Sequence, residues 1–100
     1  MRHRVGRLQD LPDGHGWLVE IEGLEIALFR RGERVHALDN VCPHRGAALA
    51  FGDVRGEVVY CPLHAWPFQL ATGACPEFPE ASVRTFPVHV GEGGDLEVEL

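Results

Sequence analysis

Two short clusters in this chain carry residues that can ligate a metal: Cys42-Pro43-His44 and Cys61-Pro62-Leu63-His64. Thiolate and neutral imidazole are ligands for both zinc and iron. The pattern is Cys-x-His, a gap of sixteen residues (45 to 60), then Cys-x-x-His. Two cysteines and two histidines make a standard tetrahedral zinc set. Zinc motifs, however, usually pair cysteine with cysteine and histidine with histidine, whereas here each cluster holds one of each. That mixing suits a binuclear centre, in which each loop sends its thiolate to one metal and its imidazole to the other. By residue type alone, a structural Cys2His2 zinc module and an iron–sulfur electron carrier both remain open, and colour would separate them.

Short alternating strands must position these clusters. In "GWLVEIEG" Trp17, Val19 and Ile21 share one face and Glu20 and Glu22 the other, the pattern of a half-buried strand. Gly23 permits a turn into "LEIALFR", and "RRGER" turns again into "VHALDN". The small-residue stretch Gly46 to Gly52 reads as a short helical turn or irregular loop. "EVVYCP" is a strand that delivers the second cluster at its end, and "FQLATGACP" reads as strand, turn and return. "VRTFPVHV" and "DLEVEL" make a closing hairpin around Gly91 to Gly94. Prolines at 62, 67, 76, 79 and 87 discourage helix. The expectation is an all-β chain, an antiparallel β-sandwich or small barrel forming a single domain over residues 1–100, with metal-binding loops at about 42–49 and 61–68.

The whole-chain charge narrows the partners. Fifteen acidic residues outweigh nine basic ones, all arginine, for a formal net charge of −6. An acidic chain with no basic run is a poor ligand for nucleic acid or an anionic membrane surface; its large partner is expected to be a protein with a basic patch. The N-terminus has no apolar stretch behind its arginines, and no run is long enough to span a bilayer. Three cysteines, two of them in ligand spacing, point to an intracellular metal site rather than a disulfide framework, so the expected location is the cytoplasm.

With its sixteen-residue gap, this motif resembles that of the Rieske [2Fe-2S] family, and the resemblance extends to the strands on both sides. It implies one Rieske-type [2Fe-2S] cluster, with Cys42 and Cys61 on one iron and His44 and His64 on the other. Only two thiolates then offset the iron charge, so an electron is added more easily than to a four-cysteine centre. The implied function is that of an electron-transfer component rather than a catalyst by itself. It would take single electrons from an NAD(P)H-dependent flavoprotein reductase and pass them to a terminal oxidoreductase.

Quinol-oxidising members of the family carry a further cysteine in each loop and a serine and tyrosine in the second. The matching positions here are Ala47, Leu63, Trp66 and Phe68, so the resemblance is to the low-potential ferredoxin branch. "CPLHAWPF" is most similar to small subunits of nitrite reductase and stand-alone ferredoxins, with ferredoxins of aromatic-ring dioxygenases as the alternative. Ala65 replaces the glycine usual after the second histidine, and Pro67 stiffens the loop tip. Cys75 reads as a packed thiol. His3, His15, His36 and His89 read as strand or surface residues without carboxylate spacing. Pro43, Arg45, Leu63, Trp66 and Pro67 are expected to form a docking face around the two histidine ligands.

Overall fold

The computed structural model describes residues 1–43, 46–63 and 65–100. Among them run β1 (Arg2–Arg7), β2 (Gly16–Ile21), β3 (Leu24–Arg31), β4 (Arg34–Asp39), β5 (Asp53–Arg55), β6 (Val58–Tyr60), β7 (Pro67–Gln69), β8 (Thr85–Phe86), β9 (Val88–Val90) and β10 (Asp95–Glu99). Single 3-10 turns lie at Leu8–Asp10, Leu49–Phe51, Pro79–Ala81 and Glu92–Gly94. Among the described residues there is no α-helix, and no helix is long and apolar enough to cross a membrane.

The strands form three antiparallel sheets, ordered β1-β10-β9, β2-β3-β4-β8 and β5-β6-β7. The central strand β3 shows how they stack. Ile26, Ala27, Leu28 and Phe29 are all fully buried, although alternate residues of a strand point to opposite faces. Ala27 and Phe29 pack with Val59 and Phe68 of the β5-β6-β7 sheet, whereas Ile26 and Leu28 pack with Leu96 and Val98 of β10. The four-stranded sheet is therefore covered on both faces, and "IALF" reads as a continuous apolar run for that reason. Trp17 lies on the same face as Val19 and Ile21, yet it stays 44% exposed at the end of the strand.

The meander β2-β3-β4 follows the expected turns. Glu22 and Gly23 form a two-residue hairpin loop with φ of 51° and 83°, the sign pair of a type I′ turn. β1 is an addition to the sequence reading, since "RHRVGR" has only one large apolar residue. Its complement is β10: Arg2 pairs in register with Glu99 and Arg4 with Glu97, and Arg4 also reaches Asp95 at 3.2 Å. Opposite charges on neighbouring strands are favourable cross-strand partners.

β4 and β8 are adjacent in the central sheet, and the Asp39 N–H donates to the Arg84 carbonyl at 2.8 Å. Residues 40–84, which carry all three cysteines, thus leave and re-enter the sheet at neighbouring points.

Candidate metal centre

Each cluster cysteine begins a loop closed by the same two backbone hydrogen bonds. In the first, the Cys42 N–H donates to the Ala47 carbonyl (2.8 Å) and the Gly46 N–H to the Cys42 carbonyl (2.7 Å). In the second, the Cys61 N–H donates to the Trp66 carbonyl and the Ala65 N–H to the Cys61 carbonyl, both at 2.9 Å. The residue four places after each cysteine is left-handed, with φ of 72° at Gly46 and 56° at Ala65. Only glycine takes that conformation at no steric cost. Ala65 therefore sits in the strained geometry that the missing glycine implied.

The loops are anchored differently. The second is the tip of a hairpin: Tyr60 pairs with Pro67, Val59 with Phe68 and Val58 with Gln69. Pro67 belongs to that ladder as the first residue of β7 rather than to a loop tip, a place where proline is tolerated. Below the first loop lies, among the described residues, an isolated bridge between Val41 and Ala48, followed by the 3-10 turn at Leu49–Phe51. That turn presses on β2 so closely that a Cβ on Gly16 would overlap the Ala50 carbonyl.

Cys42 and Cys61 are buried in the same hydrophobic core, together with Leu49, Val59 and Phe68. Two thiols at equivalent places in two like loops, shielded from water by one apolar core, fit the demand of a metal centre for deprotonated sulfur and a dry setting. His44, His64 and Arg45 lie outside the described residues. Cys75 is a free, buried cysteine in the same core, and its N–H donates to Ser82 Oγ at 3.1 Å.

Trp66 differs from its expected place on a docking face. It is half-buried and stacked on Phe78 with ring centroids 4.1 Å apart. Its carbonyl closes the second loop, and its side chain packs against the core that holds the two cysteines. Of the expected face, Pro43 and Leu63, the latter 58% exposed, do lie at the surface, where Phe51, 73% exposed, and Val41 join them. Phe51, Tyr60, Leu63 and Ala65 line an open groove of about 830 Å³, with the Asp53–Arg55 ion pair on its edge. The Asp53 carboxylate accepts from Arg55 Nε at 2.7 Å and raises the arginine pKa further above its ordinary value. Phe51 carried a signal: it is the one aromatic residue in an otherwise small-residue stretch.

Three of the remaining histidines have carboxylate neighbours that sequence spacing hid. His3 Nε2 lies 3.6 Å from Glu22, His36 Nε2 3.5 Å from Glu57, and His89 Nε2 2.8 Å from Glu99. The hydrogen bond from His89 holds the Glu99 carboxyl below its ordinary pKa. The first two pairs tie different sheets together and lie outside the loop cores.

The family model for the Rieske [2Fe-2S] domain matches residues 1–87. The chain is 33% identical over 94 residues to the ferredoxin component of the naphthalene 1,2-dioxygenase system of Pseudomonas aeruginosa, covering 93% of this chain and 89% of that protein. Its fold is similar to a protein described as an NADH-dependent nitrite reductase small subunit from Mycobacterium tuberculosis: TM-score 0.91, 30% identity, 98% and 93% of the two chains covered. It is also similar to a chain of the complex of reduced oxygenase and oxidized ferredoxin in carbazole 1,9a-dioxygenase, with TM-score 0.87, 29% identity and coverage of 97% and 91%.

Proposed function

This chain belongs to the Rieske [2Fe-2S] family, and from that membership we propose a cytoplasmic carrier of single electrons between an NAD(P)H-dependent flavoprotein reductase and a terminal oxidoreductase. The family carries one Rieske-type [2Fe-2S] cluster. Cys42 and Cys61 would hold one iron and His44 and His64 the other, within one domain over residues 1–100. The observation that carries this reading is the repeated loop, which brings two cysteines into one core on two matching turns.

A cluster held by these residues would supply one-electron exchange. The chain's part is to keep water away and to fix the energy of that exchange. Leu49, Val59 and Phe68 exclude solvent around the two cysteines. Positions 66 and 68 hold Trp and Phe, neither of which offers a hydroxyl donor. The midpoint potential is therefore expected near the low end of the Rieske range, about −150 mV, and a voltammetric value near about +300 mV would contradict the assignment. Purified protein should be red-brown with iron and acid-labile sulfide in equal amounts. Stoichiometric zinc without sulfide would replace this reading with the structural zinc module.

The terminal partner has two candidates, each with its own support. Likeness of fold to a nitrite reductase small subunit favours a reductase assembly. Sequence likeness to the naphthalene dioxygenase ferredoxin, together with the carbazole oxygenase–ferredoxin complex, favours an oxygenase. Electron delivery measured in parallel to a nitrite reductase catalytic subunit and to an aromatic-ring oxygenase decides between them. The partner's approach is assigned to Phe51 and Leu63, the two most exposed of the large apolar residues beside the loops. Transient electron-transfer contacts are small, so Phe51→Asp should slow delivery at sub-saturating partner and leave the visible spectrum unchanged. Delivery at the wild-type rate would move the docking face elsewhere.

A further inference from the structure

Asn40 is the single buried polar side chain among the described residues, at 1% exposure. It lies two residues before Cys42, and both its backbone and its side chain are engaged. Its N–H donates to the Glu25 carbonyl (3.0 Å), and its carbonyl accepts from the Leu49 N–H (2.8 Å). Its Oδ1 accepts from the Ala50 N–H (2.9 Å), and its Nδ2 donates to Glu25 Oε1 (3.0 Å). One amide thus joins β3, the entry to the first loop and the 3-10 turn at its exit.

We propose that Asn40 is the positioning residue of the first loop: its buried amide replaces the strand ladder that holds the second loop, and so sets where Cys42 stands relative to Cys61. The second loop has three registered pairs below it, while the first has one isolated bridge. The Ala50 N–H, at the 3-10 turn, has no ladder carbonyl to meet and finds Oδ1 instead. A buried donor left unsatisfied is costly, so this contact is firmly specified.

The side-chain chemistry is selective. The site needs an acceptor for Ala50 and a donor for the Glu25 carboxylate, and an amide supplies both. Aspartate keeps the shape and the acceptor but sets a second carboxylate against Glu25. Leucine fills the space and satisfies neither group.

The inference rests on the cluster-carrying function proposed above, and its test separates the two. In holoprotein, Asn40→Asp should shorten the half-life of the visible chromophore at least tenfold and shift the EPR g-values of the reduced state. The double variant Asn40→Asp/Glu25→Gln, which restores a donor opposite the carboxylate, should recover most of both. Glu25→Leu, at an exposed position and expected to fold, should show a smaller change in the same direction. Leu96→Ala, in the core on the far side of the central sheet, supplies a comparison with lowered melting temperature and an intact first loop. If Asn40→Asp and Glu25→Leu lower the melting temperature yet keep wild-type g-values and half-life, as Leu96→Ala should, Asn40 is only a structural residue. Amide exchange supplies an independent readout. The Cys42 and Gly46 amides should exchange at least tenfold faster in Asn40→Asp while that of Cys61 stays unchanged, and equal acceleration in both loops would overturn the proposal. If the wild-type protein holds zinc, the cluster reading fails and this exchange pattern alone judges Asn40.

Discussion

The loop beginning at Cys42 and the loop beginning at Cys61 close on the same hydrogen bonds, with the same left-handed residue at the fourth place. Below that level they part. The second is a hairpin tip with a regular ladder and a Trp66–Phe78 stack at its back. The first hangs from a buried side-chain amide and a 3-10 turn. The unfavourable residue also lies on the better-anchored side: the second loop carries alanine at the left-handed position, and the first carries glycine. A loop continuous with a ladder can hold a strained residue because neighbouring pairs fix its course. Equal geometry at two cysteines thus rests on unequal support.

The largest expected effect treats the loops alike. Cys42→Ser and Cys61→Ser should each lose the chromophore and melt at lower temperature, because metal binding and folding are coupled. Cys75→Ser should keep full colour, and a colourless variant would show that the ligand assignment is wrong.

Next comes the support behind the second loop. Trp66→Ala should cost about 2 kcal/mol in denaturant unfolding, below the range for fully buried aromatics because the indole is only half-buried. Phe51→Ala, at an exposed position, should cost less than about 0.5 kcal/mol. If the two costs are similar, the inward and outward assignments of these rings are wrong.

A smaller effect sharpens the contrast at the fourth place. Gly46→Ala should destabilise by about 1 kcal/mol or more, since its φ is unfavourable for a side chain. Ala65→Gly should be stabilising, or close to neutral, as relief of strain is offset by unfolded-chain entropy. Chemical denaturation of the two variants side by side tests this difference, and an equal loss in both would contradict it.

The smallest effect lies away from both loops. Glu99, whose carboxyl pKa is lowered by His89, contributes stability above its unfolded pKa, and this is lost as pH falls through the lower folded value. In Glu99→Gln the acid side of the stability profile should flatten slightly between those two values. Both side chains are only half-buried and stay in reach of solvent, so the change should be slight. A large change would mean that the pair is screened less than its exposure implies.

Much of this was legible in the chain itself. The mixed Cys/His spacing located both loops, and the glycine turns gave the β2-β3-β4 meander. The positive φ at Ala65 followed from an alanine standing where glycine was expected. What stayed hidden depends on contacts between distant residues. β1 declares itself only beside the acidic β10, and His36 finds Glu57 only once two sheets meet. Asn40 stands at the end of the run "VHALDN", and nothing local says that its amide is buried against Glu25. Trp66 and Phe51 are both large rings near the loops. Their opposite orientations come from the fold around them and not from residue type.

The excursion between β4 and β8 has a meaning for engineering. Residues 40 and 84 follow and precede strands that lie side by side, so the segment's ends are about one strand spacing apart, roughly 4.8 Å. Such a piece can be transplanted whole onto another adjacent antiparallel pair without stretching its joints. The recipient must supply an apolar patch in place of Ala27, Phe29 and Leu38, and a carboxylate at the place of Glu25 to meet Asn40. To those four host contributions a glycine at the place of Gly16 must be added, because a Cβ there would overlap the Ala50 carbonyl, and the graft of residues 40–84 is then specified by five positions of its recipient.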